Sequence, residues 1–155
     1  MASIVEALAL VETKFNISSL SDHQKAAIGA VVDKKDVFVN LPTGYGKSLV
    51  YQSLPIIFDS LRSSTGHIVA VVSPLISLMD DQVKYLTSIG VRAVNLSSAS
   101  EEEKTKLERG EYSVVYGSPE AWLKNERWRS MLLSDIYQRK LCAVAIDEAH
   151  VLRQW

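Results

Sequence analysis

Hydrophobic and polar positions along the chain follow two periods. Within residues 2–13 the apolar side chains recur at helical spacing and predict a short amphipathic helix: Ile4, Val5, Leu8 and Val11. Ser21 and Asp22 are N-cap signals for a second helix that continues to about Val32. After this second helix the pattern changes to short β-branched runs.

These runs alternate with longer segments of helical type. The predicted strands are 36–41, 67–73, 92–96, 112–117 and 141–147. The predicted helices are 47–62, 75–89, 101–109 and 119–138, the last broken into two pieces. Several runs are almost continuously apolar, which is typical of strands covered on both faces. The pattern therefore predicts an α/β fold, a three-layer α/β/α sandwich around a doubly wound parallel sheet.

A glycine-rich segment, LPTGYGKS at 41–48, lies between the first strong strand and the next helix. In a doubly wound sheet, ligands bind beyond the carboxyl ends of the strands. Gly44 and Gly46 permit a turn whose N–H groups cradle an anion. Lys47 then supplies a charge for terminal phosphates, and the Ser48 hydroxyl can ligate magnesium. The strict phosphate-loop pattern has glycine where this chain has Leu41, so an ordinary glycine turn is the alternative interpretation.

Two carboxylates follow the last predicted strand. Asp147 ends the strand and can hold magnesium through its water shell, while Glu148 can accept a proton from an attacking water. A solvated turn is the alternative for an isolated Asp-Glu pair. Together with the glycine loop, the pair favours a nucleotide-hydrolysing site.

Composition limits the classes of partner. Lys and Arg total 17 against 18 Asp and Glu, so the formal charge is -1 and any nucleic-acid contact must be local. The lone Cys142 lies in an apolar run and is predicted to be a small buried side chain, which fits a reducing compartment. No apolar run approaches the roughly 20 residues of a membrane span, and Glu6 argues against a secretory signal. We expect a soluble intracellular protein that does not contact a membrane.

Four motifs resemble those of the RecQ-like DNA helicases of superfamily 2. LPTGYGKSLVYQ is similar to motif I, where Leu41 is an ordinary variant, and VVSPLISLMDDQV is similar to motif Ia. GSPE resembles the family's Ser/Thr-Pro-Glu motif, and IDEAH is similar to motif II. The resemblance runs in order from Phe15 to Trp155. It implies a RecA-like P-loop NTPase lobe, with N-terminal helices and motif 0 at 1–34 and the first ATP-binding lobe at 35–155, in one domain.

The resemblance also implies site residues. Those implied to hold the nucleotide are Gln24, which would read adenine, and Thr43, Gly44, Tyr45, Gly46, Lys47 and Ser48, which would hold the phosphates. Lys47, Asp147, Glu148 and His150 would be catalytic, with His150 coupling the nucleotide site to DNA or to a second lobe, and Ser48 and Asp147 would hold Mg²⁺. The implied DNA face comprises Ser73, Pro74, Leu75, Ser118, Pro119, Glu120 and Trp155.

The implied function is that of an ATP-dependent 3'–5' DNA helicase acting in repair or recombination, nuclear in a eukaryote. Its implied partners are ATP, Mg²⁺, single-stranded DNA or DNA junctions, and a second RecA-like lobe. Because the chain stops inside the family's aromatic-rich loop, we expect a piece of a longer helicase, with a naturally short product as the alternative. One lobe alone is expected not to unwind DNA and to hydrolyse ATP very slowly. The competing class is a non-catalytic nucleotide-binding or interaction module.

Some positions depart from the family or keep two interpretations. Leu20 and Ser21 occupy the places of an aromatic-Arg pair, which predicts weaker adenine binding. Phe15 is either the aromatic element of that region or a core residue. The segment 122–129 either contacts nucleic acid or covers the sheet with its tryptophans inward, and 101–111 is predicted to be a solvated helix face. His23 and His67 are isolated, so we expect no zinc.

Overall fold

The computed structural model describes residues 3–34 and 46–147, and the chain divides into two compact units between His67 and Ile68. The strand predicted at 36–41 lies outside the described residues. The division predicted between residues 34 and 35 stays a prediction.

The described part of the first unit consists of three helices, each close to its predicted span. They are α1 (Ile4–Lys14), α2 (Asp22–Val32) and α3 (Lys47–Arg62). The predicted N-cap of α2 is confirmed, because the Ser21 side chain accepts a hydrogen bond from the Gln24 N–H at 3.1 Å. Both α1 and α2 pack against α3.

Apolar side chains from these helices form the core of the first unit. Those that are fully or almost fully buried include Ala7, Val11, Ile28, Leu54 and Ile57. Phe15 is only 5% exposed, which supports its interpretation as a core residue rather than as a surface aromatic. Leu20 is buried as well, so the departure from the family motif at this position fills the core.

A hydrogen-bonded cluster fastens the end of α3 to the chain that follows it. The Asp59 carboxylate accepts hydrogen bonds from the backbone N–H groups of Gly66 and His67, at 3.3 and 3.0 Å. It also contacts Nδ1 of the His67 ring at 2.5 Å, while Arg62 donates to Nε2 at 3.3 Å. Because Nε2 accepts, the ring proton lies on Nδ1 and the ring donates it to Asp59. His67, isolated in the sequence, is thus a structural residue.

The second unit is built around a parallel sheet. Its strands are β1 (Ile68–Val72), β2 (Ala93–Asn95), β3 (Val114–Gly117) and β4 (Leu141–Ile146). They lie in the order β2-β3-β1-β4, and every pair is parallel. Helices connect and flank the strands, so the predicted α/β fold class with a parallel sheet is confirmed.

Five helices belong to this unit. They are α4 (Ile76–Ser88), α5 (Glu101–Glu108), α6 (Pro119–Lys124), α7 (Glu126–Leu133) and α8 (Asp135–Lys140). The prediction of two pieces over 119–138 is wrong, since this segment contains three helices. The reason is local capping: Asn125 accepts from the Arg127 and Trp128 N–H groups, and Ser134 accepts from the Tyr137 N–H. Each side chain starts a new helix.

Alternate strand residues fill the two faces of this sheet. On one face, strand residues such as Ile68, Ala70, Val94 and Val115 share a buried cluster with Trp122, Trp128, Met131 and Tyr137. The tryptophans therefore point inward, as one of the two interpretations of 122–129 held. On the other face, α4 packs against β2 and β3, with Met79 and Leu86 buried. No helix of the described residues is long and apolar enough to cross a membrane.

Strand β4 departs from the predicted burial. Val144 and Ile146 are 61% and 57% exposed, although the continuous apolar run predicted cover on both faces. Among the described strands, β4 pairs only with β1 and so lies at the edge of the sheet. Cys142 is half-buried, which corrects the prediction of a buried thiol.

Candidate functional site

The start of α3 contains the described end of the glycine loop. Gly46 is the N-cap residue and has a left-handed backbone with φ of 75°. Since glycine has no side chain, it cannot cap the helix, and the first turn, which begins with Lys47 and Ser48, contains no acidic residue. Both side chains are half-buried. A helix start whose N-cap residue makes no side-chain capping bond, followed by a lysine, is suited to an anion. Thr43, Gly44 and Tyr45 lie outside the described residues.

Gln24 is joined to this helix start. Its Oε1 accepts from the Ser21 N–H at 2.8 Å, which completes a capping box at the start of α2. Its Nε2 donates to the Gly46 carbonyl oxygen at 3.2 Å. The amide group therefore links α2 to the last glycine of the loop. The pattern Ser-x-x-Gln in the sequence could have predicted the first bond, but nothing local predicts the second.

Asp147 directly follows β4 at the carboxyl end of the strand. Its backbone N–H donates to the Val72 carbonyl at 2.8 Å, and the residue is half-buried. A carboxylate in this position lies at the carboxyl ends of the strands, where α/β sheets bind ligands. Glu148 and His150, which were also predicted to be catalytic, lie outside the described residues.

The two motifs assigned to DNA also lie at the carboxyl ends of the strands. Ser73 follows β1 and donates its N–H to the carbonyl of Gly117, the last residue of β3, at 3.0 Å. Exposure differs among the predicted DNA contacts: Ser73 and Pro119 are buried, Ser118 is half-buried, and Leu75 and Glu120 are exposed. Ser118 accepts a hydrogen bond from the Ala121 N–H and keeps its own hydroxyl proton for a second partner. Trp155 lies outside the described residues.

Trp122 fastens these two motifs together, a role that the sequence did not predict. Its indole Nε1 donates to the Val71 carbonyl at 2.9 Å, joining α6 to the strand that leads into motif Ia. A Cβ atom at Gly117 would lie 2.6 Å from the same Nε1 and 2.9 Å from Leu96 Cδ1. The glycine in GSPE is therefore required by packing.

Charged residues of α5 and α7 are paired with one another. Arg127 donates to the Glu108 carboxylate at 2.7 Å and lies 3.7 Å from that of Glu101. Arg127 lowers the pKa of Glu108, mainly through this hydrogen bond. The charged run 101–111 thus contains the ion-pair partners of Arg127. Nucleic-acid contact was one of the two interpretations of the segment that contains this arginine. Across the described ranges, no group of three or more His, Cys, Asp or Glu side chains could hold a metal ion.

Comparison with known proteins assigns the family. The family model described as DEAD/DEAH box helicase matches residues 21–155. The chain belongs to the DEAD/DEAH box helicase family. Gln24, Lys47 and Asp147 all lie within the matched range of this helicase-family chain.

Full-length relatives refine this assignment. The chain is 35% identical to the ATP-dependent DNA helicase RecQ of Haemophilus influenzae over 100% of its own length, and 40% identical to ATP-dependent DNA helicase Q-like 2 of Arabidopsis thaliana over 91%. It is also 35% identical to the ATP-dependent helicase SGS1 of Saccharomyces cerevisiae over 97%. The resemblance to RecQ-like helicases is thereby confirmed. The chain spans 24%, 20% and 10% of these three relatives.

Proposed function

We propose that this chain is the first ATP-binding lobe of a RecQ-type, 3'–5' DNA helicase, and that it binds Mg-ATP and part of single-stranded DNA. The observation that carries the proposal is the start of α3, where Gly46 in a left-handed conformation is followed at once by Lys47 and Ser48. Family membership gives this helix start its interpretation as a phosphate site.

The residues at the start of α3 fit a triphosphate. The first N–H groups of the helix and the positive end of its dipole favour negative charge, and Lys47 adds a cationic side chain. Thr43, Gly44 and Tyr45 would complete the cradle. Gln24 would read adenine, and its existing bonds to Ser21 and Gly46 would hold its amide near the phosphate loop.

Ser48 and Asp147 would hold Mg²⁺, because hydroxyl and carboxylate oxygens are the ligands that this ion prefers. Bound Mg²⁺ would neutralise charge on the terminal phosphates. Glu148 would take up the proton of the attacking water, and His150 would couple the nucleotide site to DNA or to the second lobe.

Single-stranded DNA would lie along the carboxyl edge of the sheet in the second unit. Leu75 is 39% exposed there, and Glu120 is exposed as well. Ser73 and Pro119, which we also assign to this DNA face, are buried, and the Ser73 N–H already donates to the Gly117 carbonyl. Ser118 could donate its hydroxyl proton to a phosphate, and Trp155 would provide an aromatic surface for a base. In a full-length protein, DNA junctions would extend this contact beyond one lobe.

The test of this proposal is substitution of the loop lysine. Lys47→Ala removes the charge that we assign to the β- and γ-phosphates, so affinity for Mg-ATP is expected to fall by about tenfold or more. Binding of a fluorescent ATP analogue, followed with and without EDTA, measures both this loss and the need for the divalent ion. Lys84→Ala is the matched control, because Lys84 is exposed on α4.

Two results would decide against the proposal. Equal nucleotide affinity in Lys47→Ala and in the unchanged chain would indicate a non-catalytic interaction module, the competing class. An equal loss of Mg-ATP affinity in Lys84→Ala would mean that removing any positive charge weakens binding, wherever that charge lies. Retained circular dichroism in both variants is required for either comparison.

A further inference from the structure

We infer that Asp80 and Asn95 are positioning residues for nucleic-acid binding. They hold the start of α4 against the end of β2, at the carboxyl ends of the strands in the second unit. The inference rests on the proposed binding of single-stranded DNA at this edge. Asp80 belongs to α4, which begins immediately after Ser73-Pro74-Leu75, and Asn95 is the last residue of β2. Neither residue was singled out by the sequence.

Asn95 is a polar side chain buried inside the protein, with 2% exposure. Its Nδ2 donates to Asp80 Oδ1 at 2.9 Å, and its Oδ1 accepts from the Ser97 N–H at 3.0 Å. The Ser98 hydroxyl donates to the same Asp80 oxygen at 3.3 Å. One carboxylate oxygen therefore connects helix α4 to the strand end and to the turn at 96–98.

The connection matters because β2 ends at the same edge as the DNA motifs. The Leu96 N–H donates to the Tyr116 carbonyl at 2.8 Å, one residue before Gly117. In the parallel register Val72 pairs with Gly117, so the chain leaves β1, β2 and β3 at one edge of the sheet.

The start of α4 needs an anchor of this kind. Leu75 is its N-cap residue and makes no side-chain capping bond. Leu75, Ile76 and Leu78 are 39%, 53% and 43% exposed, so among the apolar residues at 75–79 only Met79, which is 1% exposed, packs in the core. Asp80, in the next turn, is half-buried and joins the helix to the strand end by its bond to the buried Asn95 side chain. Without this bond the buried amide of Asn95 would lose a partner, and the turn at 96–98 could shift relative to α4.

Four variants test the inference. Asp80→Ala removes the acceptor, and Asn95→Asp places two carboxylates against each other, so each is expected to weaken binding of fluorescein-labelled oligo(dT) by about threefold or more. Asp80→Asn keeps an oxygen acceptor without the charge and is expected to bind as the unchanged chain does. In the double variant Asp80→Asn with Asn95→Asp, the donor and acceptor are exchanged, and binding is expected to return.

The readouts separate positioning from general destabilisation. Fluorescence anisotropy gives oligo(dT) affinity, thermal unfolding gives stability, and Mg-ATP affinity is expected to stay unchanged in every variant. Asp80→Ala also removes a negative charge, which by electrostatics alone would strengthen DNA binding, so weaker binding identifies the lost hydrogen bonds.

Several outcomes would overturn the inference. Unchanged oligo(dT) affinity in Asp80→Ala does so by itself, even if Asn95→Asp fails to fold. Failure of the double variant to recover binding does so as well. If the unchanged chain does not bind oligo(dT) while Lys47→Ala still affects Mg-ATP affinity, the proposed DNA binding fails instead, and the inference fails with it.

Discussion

Gly46 is constrained both by its own backbone and by a neighbouring side chain. Its φ of 75° lies in the left-handed region, where a side chain is strained. A Cβ atom there would also lie 2.6 Å from Gln24 Nε2. The sequence predicted the first constraint from the glycine pattern before a helix. The second depends on where Gln24 lies, and only the folded chain brings the two residues together.

Alanine substitutions at two glycines should therefore have opposite effects on stability. Gly46→Ala is expected to lower the free energy of unfolding by about 1 kcal/mol or more and to weaken Mg-ATP binding. Gly29→Ala, in α2, meets nothing within 4 Å and is expected to raise stability by about 0.5–1 kcal/mol. Urea denaturation measures both. Adding Gln24→Ala to Gly46→Ala removes the clash but leaves the backbone strain, so full recovery would contradict the strain argument.

At the scale of elements, α5 and α7 are joined by charge. Arg127 reaches both Glu101 and Glu108 of α5, and it also lies 5.3 Å from the centroid of the Trp128 ring. The sequence predicted α5 as a solvated helix face with charges at helical spacing, and its carboxylates are indeed exposed. The sequence did not decide whether Arg127 contacts nucleic acid or another part of the protein. An ion pair between separate helices cannot be derived from the spacing of residues within either helix.

The predicted effect of breaking this link depends on pH. Because Arg127 lowers the pKa of Glu108 below its ordinary value of 4.5 in the folded chain, the pair stabilises folding above that value. This contribution disappears as the pH falls through the lowered pKa. Arg127→Ala is thus expected to cause a small loss of stability at pH 7 and none in acid, measured by urea denaturation across pH. Arg129→Ala, at an exposed site on the same helix, is the control; an equal loss there, or one that persists in acid, would contradict the assignment.

At the scale of the whole molecule, the proposed mechanism of nucleotide hydrolysis requires a second lobe. A trans-acting arginine contributes about 10³- to 10⁵-fold to the rate in P-loop enzymes. A polypeptide of these 155 residues is therefore expected to bind Mg-ATP but hydrolyse it very slowly, and not to unwind DNA. Single-turnover assays with labelled ATP, with and without single-stranded DNA, measure this. Turnover of about one ATP per second with stimulation by DNA would contradict this prediction.

The sequence alone determined the α/β class, the four described strands, the helices up to α5 and the residues offered as a phosphate site. Each of these depends on local periodicity or on a short motif, and such signals are contained within a few neighbouring residues. The family resemblance added the motifs at 71–83 and 117–120.

The tertiary structure decided which distant residues meet. Gln24 bonds Gly46 across 22 positions, Asn95 bonds Asp80 across 15, and Trp122 bonds Val71 across 51. Likewise, Val144 and Ile146 on β4 are exposed although their segment is apolar, which the sequence did not predict. Partners and burial of this kind are set by how segments pack in space, and no pattern within one segment contains that information.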